Sequence, residues 1–444
     1  MIFLLPFLGF LIPIAIKNNN VVARRFSLFI IAMWTFIFFI SLQNPYGLLP
    51  VSAKTYTLLL IYVCSLVIGL SVSNKRNVNS SKYIKFDNVI QKQLDYLLDN
   101  KYVLIIVSIC ILFLLYIFSK QQAILLQISA MQLRNEGVQD LLFEGNSLLG
   151  LFNNFVVKPF TFIIEILVAY VLLYRRTKVL PLFLFTTEVL LSALIGGSRG
   201  VFLKILVYII FIYFCCPFLQ NKSSRKANLK LLLSVLVFAI IIFTTVSYLT
   251  AQRLYNIKEF SIDAVLLGFD SMLIHIETYL VGPFRALDYA FENDYFNKLG
   301  GPTLGRSTLG FIEGFFEIFF GKLGIDYTPA NNIIYKTLQN NWIWIGRDFN
   351  FAYTPLLNYY MDFGLLGILI IPFVFGMIIK KYCLKLYRSK NLAILFLLAF
   401  FFNVIFESHF GWVLYHWNCF LILIYIYIIY KYIILLFFSF FAAV

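Results

Sequence analysis

A chain of 444 residues could hold two or three soluble domains, but this one is 61% hydrophobic and only 13% charged, with a mean hydropathy of +0.86. Such a composition satisfies its backbone in hydrocarbon as helix, which excludes an ordinary soluble fold. The net charge of +15 is gathered in short clusters between apolar segments, the pattern of loops that face the cytoplasm rather than of a surface for nucleic acid.

Apolar segments of membrane-spanning length are predicted at 1 to 16, 27 to 42, 55 to 73, 102 to 119, 147 to 174, 179 to 196, 201 to 219, 231 to 250, 353 to 379, 391 to 408 and 412 to 431. With 432 to 444 as a remnant or half of another span, this predicts an all-α polytopic membrane protein of about 11–12 transmembrane helices, one membrane domain over 1–444. Residues 1 to 16 read as the first helix, since no basic residue precedes them and no small-residue cleavage pattern ends them. Of the six Cys, none lies in the long polar stretch and none has metal-ligand spacing, so neither a disulfide framework nor a metal site follows.

Alternate connections carry the positive charge. Lys17, Arg24 and Arg25 mark the first; Lys75, Arg76, Lys82, Lys85, Lys92 and Lys101 the third; Arg175, Arg176 and Lys178 the fifth; Lys222, Arg225, Lys226 and Lys230 the seventh; and Lys380, Lys381, Lys385, Arg388 and Lys390 the ninth. If these face the cytoplasm, the amino terminus, the Arg199 turn, the stretch 251–352 and the turn at 404 to 415 face outside. The chain then divides into N-terminal helices (1–250), one large extracytoplasmic loop (251–352) and C-terminal helices (353–444).

That loop is where chemistry is expected, because long connections in compact proteins are usually functional. Two amphipathic helices are predicted in it. Val265, Phe269, Met272, Ile276 and Leu280 recur at helical spacing beside Asp263, Asp270 and Glu277; Phe311, Phe315, Ile318, Phe319 and Lys322 recur beside Glu313 and Glu317. Lying on the outer surface, they would roof a cavity between the spans.

Arg199, in Gly196-Gly197-Ser198-Arg199-Gly200, stands where a helix begins at the outer face, so unpaired backbone N–H groups and the helix dipole would favour a phosphate there; snorkelling to lipid head groups is its other reading. Arg134, Arg253, Arg285, Arg306 and Arg347 are the remaining outward Arg residues, and a planar guanidinium suits a diphosphate because it binds two oxygens at once and stays charged; some would instead pair loop acids such as Asp288 or Asp348. Glu277, His409 and Asp348 are candidate general bases, with His275, Glu407 and His416 as further outward polar groups. Trp342 and Trp344 could stack on sugar rings or belong to an interfacial aromatic belt. No nucleotide loop, His-Glu-x-x-His or Gly-x-Ser-x-Gly occurs, and the first outward turn, 43 to 54, has no acid. The expected substrate therefore arrives with its leaving group attached, and neither cofactor nor metal is expected.

Tyr279-Leu280-Val281-Gly282-Pro283, Gly305-Arg306-Ser307-Thr308, Asn350-Phe351-Ala352-Tyr353-Thr354-Pro355 and Tyr359-Tyr360-Met361-Asp362-Phe363-Gly364-Leu365-Leu366-Gly367 resemble the oligosaccharide repeat-unit polymerases, the O-antigen polymerase (Wzy) family. The turn Ser198-Arg199-Gly200 is also similar to that family's and its ligase relatives'. The resemblance implies a GT-C-like enzyme of the bacterial inner membrane with its large loop in the periplasm. It implies repeat units on undecaprenyl diphosphate as substrate, transfer of the growing glycan to the non-reducing end of a new unit, and inversion at the anomeric carbon. Tyr279, Trp342, Trp344, Tyr353 and Asp362 would line the glycan site, though Asp362 could equally cap or pair a loop Arg. Membrane lipid, a flippase and a chain-length regulator would be the other partners, and no nucleic acid. A ligase is the near rival and a lipid-linked oligosaccharide flippase the rival of another class.

Overall fold

In a computed structural model of the protein, the described residues are 4–45, 47–72, 87–125, 147–174, 179–196, 200–216, 219, scattered positions from 240 to 257, 259–339, 343–345, 348–349, 352–415 and 418–441. Helices dominate: α1 (Leu4–Gly9), α2 (Leu11–Ile16), α3 (Val21–Gln43), α4 (Ala53–Ser71), α5 (Asp87–Asp99) and α6 (Lys101–Leu125). Ser147–Phe152 then passes through a π-helical turn, Asn153–Val157, into α7 (Lys158–Tyr174), followed by α8 (Val179–Gly196) and α9 (Gly200–Ile210). After α10 (Ile262–Glu292), α11 (Gly310–Lys322) and α12 (Ala330–Gln339), a two-residue antiparallel pair, β1 (Ile343–Trp344) and β2 (Asp348–Phe349), leads to α13 (Leu356–Ser389), α14 (Leu392–Glu407) and α15 (Asn418–Phe441).

Six helices among the described residues are long and apolar enough to cross a membrane: Val21–Gln43, Ala53–Ser71, Lys101–Ile124, Leu148–Tyr174, Ile262–Glu292 and Leu356–Ser389. Pro6–Ile16, Leu180–Ile195, Leu203–Cys215, Leu392–Glu407 and Asn418–Ile429 are apolar but shorter. Ten of the eleven predicted segments fall on these helices; the remaining one, 231 to 250, lies mostly outside the described residues. Ile262–Glu292 is the difference. The predicted amphipathic stretch of 265 to 280 is part of a 31-residue helix that continues through Pro283 and is itself of spanning length. Large apolar side chains stand exposed along these helices, as on α6, where Ile105, Ile109, Leu112 and Leu115 face outward, a surface suited to lipid and not to water.

The chain forms two compact units. The first comprises Met1–Lys82, Ile274–Ser389 and Phe400–Leu423. In it α3 starts at Asn20, whose side chain accepts the Ala23 N–H at 2.9 Å, and ends at Asn44 in the left-handed conformation. α4 and α13 pack so closely that backbone meets backbone: a Cβ on Gly69 would stand 2.2 Å from the Phe373 carbonyl oxygen, and one on Gly376 2.5 Å from that of Leu66. One turn further on, the buried Lys380 ammonium donates to the Val72 carbonyl at the end of α4, a cation where the helix dipole is negative. Trp34, Phe38 and Phe284 fill the centre with buried rings, Trp34 and Phe284 stacked at 5.8 Å.

The second unit comprises Tyr83–Leu273, Lys390–Ala399 and Ile424–Val444. α7 lies at its centre, buried on nearly every side, with α8 and α9 packed against it and α6 against α8. Gln93 of α5 accepts the Leu392 N–H at 2.8 Å, and the Tyr425 hydroxyl donates to the Phe155 carbonyl of the π-helical turn at 2.9 Å. The first half of α10 belongs here, and Gly268 is where it meets Ser247 and Ala251.

Candidate functional site

Apart from its basic connections, the first unit carries charged residues on the second half of α10, on the segment between 299 and 330, and near the start of α13. On the second half of α10, Glu277, Val281, Phe284, Arg285 and Asp288 recur at helical spacing, and all are buried. This polar face is the reverse of the surface role that its acids suggest.

Asp288 accepts the Ser52 N–H at 2.7 Å, the Ser52 hydroxyl, and the Thr55 hydroxyl at 2.6 Å, capping α4 with a negative charge. Arg285 donates from Nε to the Leu49 carbonyl, and from its terminal nitrogens to Val281 O and Asn44 Oδ1, each at 3.1 Å. These bonds fix α10 to the connection between α3 and α4. At the other end of the same stretch, the Tyr279 ring, about one-third exposed, meets Phe410 at 5.5 Å. The second half of α10 is thus tied to two connections, 44 to 55 and 408 to 412, that the charge pattern assigns to one side of the membrane.

Glu277 stands apart. It is 3% exposed, and neither carboxylate oxygen has a hydrogen-bond partner among the described residues. Its charge reaches Arg285, two turns on. A buried carboxylate with no donor is expensive, and such groups are kept where they have work to do.

His409 follows α14 and is buried, its Nδ1 2.6 Å from the Phe406 carbonyl. A carbonyl can only accept, so Nδ1 carries the hydrogen and Nε2 presents its lone pair. Burial pushes the imidazole down to about 4, partly offset by that bond, so the ring is neutral near neutral pH.

The loop from Gly300 to Gly305 contains four left-handed residues, Gly300, Gly301, Leu304 and Gly305, and this lets it wrap around Asp362. Asp362, wholly buried, accepts the Thr303 hydroxyl and the N–H groups of Ser307 at 3.0 Å and Thr308 at 2.7 Å. Directly after it α13 is broken at Phe363 and Gly364, the latter at φ +61°. Asn331 and Asn358 tie down Ser307, and the Trp412 indole donates to Thr308 O at 2.7 Å. Asp362 therefore organises the loop and is fully engaged in doing so.

Arg306 is half-exposed and donates to Glu313, which also accepts the Tyr327 hydroxyl at 2.7 Å and the Ala330 N–H at 2.6 Å. The bond to Glu313 raises the guanidinium further above neutrality, and burial raises the Tyr327 phenol. Arg306 borders a surface cleft of about 250 Å³ floored by Gly300, Gly301, Pro302 and Met361. Tyr353 is buried with its hydroxyl unpartnered among the described residues, and burial raises that phenol well above its ordinary range.

Arg199, Arg253, Trp342 and Arg347, with Arg134 and His416, lie outside the described residues. Trp344 and Asp348 are described in backbone only, opposite one another across the β pair. His275 sits one turn before Tyr279, its ring 6.3 Å away. Among the described residues no group of three or more His, Cys, Asp or Glu could hold a metal ion. Sequence reasoning missed the Asn331–Asn358–Ser307 cluster and the Asp288 cap, whose partners come from distant segments. Compared with known proteins, the chain matches no family model, no curated protein and no solved structure.

Proposed function

We propose that this protein is a membrane glycosyltransferase that polymerises oligosaccharide repeat units carried on undecaprenyl diphosphate, working on the outer face of a bacterial inner membrane. The observation that carries the reading is Glu277, a buried carboxylate with both oxygens unpartnered among the described residues. It is the group equipped to take a proton from an acceptor hydroxyl. Supporting it, three of the segments that resemble the polymerases (279 to 283, 305 to 308 and 359 to 367) fall in one compact unit. Two of them are hydrogen-bonded to each other through Asp362.

In this reading the acceptor hydroxyl attacks the anomeric carbon of the donor, the sugar–phosphate bond breaks, the proton passes to Glu277, and lipid diphosphate leaves. The partly exposed Arg306, at the edge of its cleft, steadies that charge, with Arg199, Arg253 and Arg347 as further candidates. Arg285 contributes by holding α10 and by setting the field at Glu277. His409 positions the turn beside Tyr279, and Asp362 positions the Arg306 loop.

The test is purified protein in liposomes with lipid-linked repeat units and excess EDTA. A ladder of glycan lengths supports the proposal. A single transfer to another lipid acceptor marks a ligase, translocation without new bonds marks a flippase, and a ladder that appears only with added Mg²⁺ or Mn²⁺ overturns the metal-independent chemistry.

A further inference from the structure

We infer that α11 sinks its phenylalanine face into the acyl chains of the leaflet where α13 begins, and so seats the Arg306 cleft at the level of the lipid head groups. The sequence predicts this helix as an amphipathic roof over the spans. In the structure its charged side is the one that faces protein.

Glu313 and Glu317 stand four apart on α11, and both are engaged by the neighbouring chain. Glu313, 5% exposed, accepts from Arg306, the Tyr327 hydroxyl and the Ala330 N–H, and Glu317 accepts the Asn332 amide at 2.7 Å. On the opposite side Phe315, Phe316 and Phe319 are exposed, and Leu323 at the C-cap continues the row at i+4 spacing. Lys322 closes the last turn, where a long side chain can reach back to head groups. An exposed apolar row of this kind marks a surface that something covers.

Lipid is the occupant that the surroundings point to. Asp362 of α13, a helix of spanning length, holds the N–H groups of Ser307 and Thr308 just before α11 begins. Directly after Asp362, Phe363, Leu365, Leu366, Leu369 and Ile370 are exposed along α13, so its lipid-facing surface starts where α11 is anchored. A Cβ on Gly305 would stand 3.9 Å from the Phe363 ring, which places the anchoring loop against that surface. Further along, Phe311 and Phe315 lie 6.3 and 5.4 Å from Phe420 in the first turn of α15, a second apolar helix. A protein partner would have to match the α11 row and the α13 run at once, whereas acyl chains cover both without a defined shape.

A helix lying in this way buries its apolar face about 5–10 Å into the boundary between head groups and acyl chains. Because Glu313, on the opposite side, bonds Arg306, the guanidinium and its cleft are held on the head-group side of that boundary. The seating does not depend on the glycan reading, since a flippase or a ligase could carry the same helix.

The experiment uses wild-type protein in liposomes that contain a phospholipid with a diazirine in its acyl chain. Adducts are mapped by mass spectrometry after illumination, beside hydroxyl-radical footprinting of the same liposomes. Acyl adducts should appear on Phe315, Phe316, Phe319 and Leu323 at the density found on Leu112 and Leu115 of α6, and none above background on the polar stretch 292 to 298. The footprint should show the reverse. With the diazirine moved to the head group, adducts should shift to Pro302 and Arg306 at the cleft. Phenylalanines oxidised as readily as 292 to 298 and without acyl adducts would place α11 in water and overturn the inference. Protection from both reagents would overturn it as well, because the face would then be covered by protein, a second copy included. A cleft that takes no head-group adduct would overturn the seating.

Discussion

A neutral imidazole at His409 carries a definite pH dependence. An exposed His titrates near 6.5, whereas in the folded protein burial holds His409 at about 4. The folded state resists the proton that the unfolded state accepts, so this contribution to stability is complete above about 6.5 and is lost as pH falls toward 4. The gap corresponds to on the order of 3 kcal/mol. Thermal melts in detergent should therefore show wild type losing more stability than His409→Gln between neutral pH and pH 4; parallel losses would refute the assignment. Asp362 makes a different demand. Asp362→Asn places an amide hydrogen against the Ser307 or Thr308 N–H and should cost about 1.5–3 kcal/mol, the range for a charge-assisted bond in a buried site. A melting temperature equal to wild type would show that the loop does not depend on it.

Among the elements, α4 and α13 meet backbone to backbone, and the contact is most sensitive at Gly69. In Gly69→Ala the new methyl would lie 2.2 Å from the Phe373 carbonyl oxygen, so the helices must separate, at about 1–3 kcal/mol for overpacking. Gly9→Ala, where none of the described residues lies within 4 Å of the new methyl, is the control, and equal stability of the two variants would contradict the packing. The helices themselves were legible from hydropathy, because a membrane segment announces itself by length and composition. α10 was legible only in part. Its buried face carries Glu277, Arg285 and Asp288, which any hydropathy reading places at a surface, and Pro283 suggests an end where the helix in fact continues. The break in α13 had a trace in Asp362-Phe363-Gly364, but what it serves, the carboxylate holding Ser307 and Thr308, joins residues 54 and 55 positions apart, which no local pattern displays. Glu313 reads in the sequence as one acid of an amphipathic helix; its bond to Arg306 spans seven positions, and the turn at 323 to 329 is what brings the Tyr327 hydroxyl and the Ala330 N–H to the same carboxylate.

For the molecule as a whole, the alternation of basic connections predicts the stretch 251–352 outside, although Ile262–Glu292 within it is of spanning length. Charge and contact favour the same answer, since a single crossing by α10 would carry the Lys380 to Lys390 cluster to the outside, against the positive-inside rule. A Cys placed at the exposed Ser261, in an otherwise Cys-free protein, should react with an impermeant reagent from outside intact cells. Labelling from the cytoplasmic side alone would remove the outward site. The most direct test of the central claim is chain growth by Glu277→Gln, compared with wild type in liposomes loaded with lipid-linked repeat units. The account predicts a ladder from wild type and a loss of at least a hundredfold in rate from the variant, the low end for a general base, with the protein folded and donor lipid still bound. A variant that extends chains as fast as wild type, or a wild type that builds none, would contradict it.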